Sequence, residues 1–309
     1  MNPNLNPDSR PESQFGNAPV SLAEMNTLID EYIALNDSLP GSILKYHHLS
    51  QSQQVFYYRL SKQHPPEFIP EFHRAVMTKL LLRPLNMGRK IRLPESVKEI
   101  LADEIRRINE ILEHDKDYVF DWSNDNFAKD MGICTSRLIP VGAQLVEVTG
   151  IPRQYLLREP RRLFGNMVFF MTKLQGSKPM FHMHTHLGNL KDFNPEGWKK
   201  TYIRLGQLLE LNRDFKGVQC TSWFFDPQLK SVSPNLSYLV ELPCQHGART
   251  MFVANEDQRS GALSKSKTRN DMFKAGKYLP RNFILVWPRK SLIAFGKNNM
   301  HVLNETDDD

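Results

Sequence analysis

Three histidines stand at alternate positions in the run Phe181-His182-Met183-His184-Thr185-His186. In an extended strand residues i, i+2 and i+4 share a face, so His182, His184 and His186 would line one side while Phe181, Met183 and Thr185 line the other. Imidazoles so arranged can hold zinc, iron or another divalent ion and leave a position for water or substrate. A carboxylate such as Asp192 or Glu196 would complete the shell, with His246 and His301 as more distant imidazoles. The pattern points to a metal-dependent hydrolase or oxygenase. Its competitor is a hydrogen-bonded histidine face with no metal.

Two further stretches suit an anion. At Ser222-Trp223-Phe224-Phe225-Asp226-Pro227 a strand is expected to end and turn into a helix, with Ser233 as N-cap and Pro234 at the first position. Free backbone N–H groups and the positive end of the helix dipole at such a junction attract anions. The run Ser264-Lys265-Ser266-Lys267-Thr268-Arg269 then gathers three basic side chains and three hydroxyls at another helix start. Between Gln258 and Lys290 nine basic residues face one acid, Asp271. Ser233, Asn235, Lys265, Lys267 and Arg269 are therefore the expected contacts for a phosphate-bearing ligand. A solvated basic helix is the plainer account of the same residues.

The elements that must position these residues divide into two textures. From Ser21 the pattern is helical: Glu24 stands three residues after Ser21, as in a capping box, and Leu22, Met25, Leu28, Ile29, Tyr32 and Ile33 recur at helical spacing up to Pro40-Gly41. A second helix follows Ser50 and stops at Pro65-Pro66, and a third runs from about Pro70 to Leu82 before Pro84. The fourth begins at Pro94, with Val97, Ile100, Leu101, Ile105, Ile108, Ile111 and Leu112 as its apolar stripe. From Tyr118 shorter apolar runs with Gly and Pro punctuation take over. Arg137–Gly150 is ambiguous between strand and helix, while 168–174 and 180–186 read as strands and 195–211 as a helix. Strand 218–225, helix 233–242, strand 249–254, helix 267–275 and closing strands at 283–287 and 291–295 follow. The expected organisation is a leader (1–20), a helical region (21–117), an α/β domain (118–304) and an acidic tail (305–309). The fold class is α/β, or α+β overall: a helical N-terminal region followed by a mixed sheet covered by helices.

The order of elements from 218 onward resembles the C-terminal half of the GCN5-related N-acetyltransferase fold over about 75 residues. Arg269–Tyr278 is similar to that family's late helix, with its aromatic and Gly-aromatic stop. The resemblance implies an acyl-CoA or acyl-carrier-protein donor whose pyrophosphate sits at the strand-to-helix junction. This chain departs from the family there, because the turn Asp226–Asn235 has no glycine and Pro234 removes a donor. In an acyl transfer His184 or Glu241 would act as base, and Ser237 or Tyr238 would protonate the leaving thiolate. The set Trp223-Phe-Phe-Asp-Pro, Ser233-Pro-x-Leu-x-Tyr-Leu and Trp287-Pro-Arg also looks like a bacterial protein family with no assigned activity.

Composition narrows the classes. Forty basic and 34 acidic residues leave a net charge of +6, and no nucleic-acid-binding motif accompanies it, so a nucleic-acid-binding or regulatory role ranks third. Three widely spaced cysteines without CxxC spacing suit a reducing compartment, and no apolar run is long enough for a membrane helix. The N-terminus lacks the basic and apolar parts of a secretory signal. The expectation is a cytoplasmic enzyme acting on a small-molecule or carrier-protein substrate: first a transferase with a phosphate-bearing acyl donor, and second the metal enzyme.

Overall fold

The computed structural model describes residues 20–38, 45–83, 91–152, 154–155, 158–185 and 187–303. Most of the expected leader, the stops at Pro40-Gly41 and Pro84, His186 and the acidic tail lie outside them.

Five helices form the N-terminal layer: α1 (Leu22–Asp37), α2 (Gln51–Gln63), α3 (Phe68–Leu81), α4 (Glu95–His114) and α5 (Asp125–Cys134). The Ser21 side chain accepts from the Glu24 amide at the head of α1. A reciprocal capping box of Ser50 and Gln53 starts α2, and Asn124 caps α5. Tyr32, Phe56, Phe72, Ile108 and Phe127 make its core. Because Phe127 and Met131 of α5 join that cluster, the helical layer continues to Cys134, beyond the change of texture at Tyr118.

The chain then enters a six-stranded mixed sheet. Strands β1 (Ile139–Pro140), β2 (Gln144–Thr149), β3 (Met180–Thr185), β4 (Gly217–Ser222), β5 (Arg249–Asn255) and β6 (Arg281–Pro288) lie in the order β1-β2-β3-β4-β6-β5. Among the described residues only β3 and β4 are parallel, and such a pair needs a crossover. Helix α6 (Leu163–Phe169), running on as a π-helical turn to Leu174, precedes β3; α7 (Pro195–Leu211) supplies the crossover. Helices α8 (Leu229–Val232), α9 (Tyr238–Gln245), α10 (Gly261–Ser264) and α11 (Lys267–Lys274) follow β4 and β5, and α12 (Arg289–Asn298) leaves β6.

Alternation along the strands gives the sheet two unlike faces. On one, Phe181, Met183, Val218 and Trp287 pack under α7, α9 and α12. Helices α7 and α12 cross closely at two glycines, where a Cβ on Gly206 would lie 2.9 Å from the Leu292 carbonyl. On the other face Leu145 meets the helical layer, while Met180, Met251, Ile284 and Val286 are covered by α6 and its π-helical extension. Between those two covers lies the part of the sheet that carries the histidines.

Several expected elements differ. The run 168–174 is helical: Phe169, Phe170 and Leu174 are buried while Val168 and Met171 face solvent, a one-sided burial that a short apolar run does not reveal. The expected last strand, 291–295, lies within α12, where Leu292, Phe295 and Gly296 share the buried side at helical spacing. The sheet therefore closes on one strand rather than two. Helix 233–242 is broken into a 3-10 turn at Pro234–Leu236 and α9, and Ser233 makes no capping bond because its hydroxyl accepts from Arg269 instead. Strand β4 ends at Ser222, whose hydroxyl caps the 3-10 turn Trp223–Phe225. Among the described residues no helix is long and apolar enough to cross a membrane.

Candidate metal centre

Strand register brings together a group that spacing along the chain separates. Strand β2 runs antiparallel to β3 with Glu147 opposite His182 and Leu145 opposite His184, so Glu147, His182 and His184 share a face. Glu147 Oε1 lies 2.9 Å from His184 Nε2 and 3.4 Å from His182 Nδ1. The three ligand atoms all fall within 4.8 Å of one another. An ion with bonds of about 2.0–2.1 Å holds neighbouring ligand atoms roughly 3 Å apart, so the two Glu–His separations already match a coordination shell.

The surroundings fix this geometry. Glu147 is buried, and its other oxygen, Oε2, accepts from the Tyr46 amide at 3.0 Å. That bond aims Oε1 at the imidazoles and ties the segment after residue 44 to the sheet. The Tyr46 hydroxyl donates to Asp125 Oδ1 at 3.0 Å. Lys129, one turn along α5 and buried, donates to both Asp125 and the Thr185 carbonyl. The Tyr46 ring stands edge-on to His184, with centroids 5.0 Å apart. Next in the same row, Gln219 on β4 is spent on Thr149 Oγ1 (2.7 Å) and the Gly150 carbonyl (3.1 Å).

The protonation states suit ligation. Burial would raise the Glu147 carboxyl, but the bonds from His182 and His184 outweigh it and hold the group well below the usual carboxylate range. Burial lowers His184 to about 4, with the charges of His182 and Lys129 acting in the same sense against Glu147. At neutral pH the cluster therefore offers an ionised carboxylate and a neutral imidazole, the forms that bind metal.

The other expected residues fall elsewhere. Asp192 closes a 3-10 turn before α7 and Glu196 pairs with Lys200 at 2.9 Å, so neither is the carboxylate that meets the histidines. The His246 ring packs on Phe295 and His301 lies in the 3-10 turn Met300–Leu303, and neither joins the cluster. Ser237 and Glu241 do meet, with Oγ 3.2 Å from Oε2, and Lys230 completes a surface ion pair with Glu241 at 3.0 Å. Tyr238 packs beside them on the core under α7, however, which is the sheet face opposite His184. Arg269 and Ser233 are also brought together, at 2.9 Å, but Arg269 is buried, donates to the Ala262 carbonyl at 2.6 Å and covers the Trp223 ring. Its donors face the fold rather than a ligand. Asn235, Lys265 and Lys267 are exposed. A groove of about 690 Å³ lined by Arg92, Pro179, Asn212 and Phe215 shares no residue with the histidine cluster.

Glu147 and Tyr46 are the residues that sequence reasoning missed. Glu147 carried a usable signal, being an acid inside Gln144-Leu-Val-Glu-Val-Thr149, where a strand otherwise buries apolar side chains. Tyr46 acts through its main-chain amide and has no signature at all. No protein-family model, curated protein or solved structure matches the chain, so the reading of this site rests on its geometry.

Proposed function

We propose that the protein is a metal-dependent enzyme, a hydrolase, in which Glu147, His182 and His184 hold one divalent transition-metal ion. The observation that carries this reading is the convergence of one carboxylate oxygen and two imidazole nitrogens on a single point of a partly exposed sheet face. Two histidines and one carboxylate form the ligand set of catalytic zinc and non-haem iron sites, which keep positions open. A bound ion would supply Lewis acidity and a water acidic enough to ionise near neutral pH. The chain's own contribution is positional: Tyr46 orients Glu147, and Asp125 with Lys129 braces Tyr46 against the end of β3. Hydrolysis requires no co-substrate beyond water. An acyl transfer using His184 with Ser237 or Tyr238 would have to act across both faces of one sheet, so acyl-CoA is a poorer fit.

Metal analysis of the purified protein tests the proposal. About one equivalent of zinc, manganese or iron is expected, lost in His184→Ala. A wild-type protein that neither carries nor takes up any of these ions defeats the proposal. Bound iron together with substrate-dependent oxygen consumption would replace the hydrolytic half with oxygenase chemistry.

A further inference from the structure

Five rings form a continuous file from the protein surface into the proposed metal centre. Centroid separations are 4.4 Å from His48 to His47, 4.9 Å from His47 to Tyr46, 5.0 Å from Tyr46 to His184 and 4.3 Å from His184 to His182. Four of the five are imidazoles. The outer two belong to a short segment held to the centre by the buried Tyr46, through its amide on Glu147 Oε2 and its hydroxyl on Asp125.

Three described polar side chains beside the cluster are already committed. Asp125 accepts from Tyr46 and Lys129, Lys129 spends its donors on Asp125 and Thr185, and Gln219 is held by Thr149 and Gly150. His47 differs. It is exposed, and among the described residues its ring nitrogens make no hydrogen bond. Its Cα is one peptide unit, within about 5 Å, from the Tyr46 nitrogen that touches Glu147. Rotation about χ1 and χ2 swings an imidazole through a comparable distance.

We infer that His47 is a fourth, recruited ligand, whose ring turns from Tyr46 onto the ion while Tyr46 stays anchored. The inference rests on the metal reading of Glu147, His182 and His184. An ion of five or six coordination held in this way still keeps at least one position for water or substrate. His48 stands one ring farther out and remains a neighbour rather than a ligand.

Cobalt(II) titration of the full chain, stripped beforehand by a chelator, tests this. Visible absorption reports coordination number, and zinc competition gives affinity for wild type, His47→Ala, His48→Ala and His184→Ala. The His47 side chain is exposed, so the unfolding midpoint of chelated His47→Ala should equal that of wild type. The expected result is an affinity loss of at least about 10-fold in His47→Ala with an altered cobalt spectrum, a change under about 2-fold in His48→Ala, and no binding in His184→Ala. If His47→Ala binds cobalt with wild-type affinity and spectrum while His184→Ala does not bind, the recruited ligand is refuted and the metal centre stands. A larger loss in His48→Ala than in His47→Ala also refutes it. If the wild type binds neither cobalt nor zinc, the metal reading and this inference fall together.

Discussion

Replacing Glu147 separates its structural contacts from the ligand role proposed for it. In the metal-free protein its buried carboxylate accepts from the Tyr46 amide at 3.0 Å and faces His184 Nε2 at 2.9 Å and His182 Nδ1 at 3.4 Å. Glu147→Ala leaves the Tyr46 amide and the His184 donor without an acceptor. At about 1–3 kcal/mol for each stranded group, offset in part because a charge need no longer be buried, the chelated variant should lose about 2–4 kcal/mol. Glu147→Gln keeps the shape and an acceptor for Tyr46, while His184 can change tautomer to accept from the new amide, so its cost should stay near 1 kcal/mol. With metal the ranking is set by binding. An ion at 100 times its Kd stabilises the wild type by about 2.7 kcal/mol, a rise of roughly 5 °C for a chain of this size. The Gln variant lacks the charged ligand and should rise by less than about 1 °C. Thermal unfolding followed by circular dichroism, with chelator and then with zinc or manganese, reads both effects. Equal metal-induced shifts in wild type and Glu147→Gln would refute the assignment of Glu147 as a ligand.

Three other outcomes follow from the packing. His73 and His184 are both lowered to about 4, chiefly by burial, so between pH 6.5 and 4 the unfolded chain binds more protons than the folded one. Stability should be complete above about pH 6.5, fall as pH drops from about 6.5 to 4, by up to about 3 kcal/mol per histidine, and level off below; urea midpoints that stay level across this window would contradict it. Arg269→Ala should cost about 2–3 kcal/mol through its lost bonds to Ala262 and Ser233 and its stacking on Trp223, whereas exposed Lys265→Ala should be neutral by denaturant titration. Equal midpoints for the two variants would count against a structural Arg269. Gly217→Ala should cost more than about 2 kcal/mol, because φ is +154° and the new Cβ would collide with the Trp287 carbonyl; a wild-type melting curve would show that the β4–β6 pairing tolerates it.

The long N-terminal helices and α7 were legible because they repeat their burial pattern over two turns or more, helped by start signals such as Ser50 before α2 and Asn194 before α7, while the short α11 was marked by its Ser266 cap and the glycine at 276. The segments at 168–174 and 291–295 were not. Each is a short apolar run whose period cannot be judged, and what settled them was the neighbour each had to cover, the sheet face under α6 and the glycine crossing with α7. The histidine strand was likewise local knowledge, since strand geometry alone sets His182 and His184 on one side. Their partner was not, because Glu147 lies 35 residues before His182 and joins it only through the β2–β3 register. Tyr46 joins by a main-chain amide, which every non-proline residue possesses and no sequence pattern marks. Residue chemistry and short-range periodicity are written along the chain, whereas register and the meeting of distant segments are properties of the packed molecule, and here the second kind turned a histidine strand into a candidate metal centre.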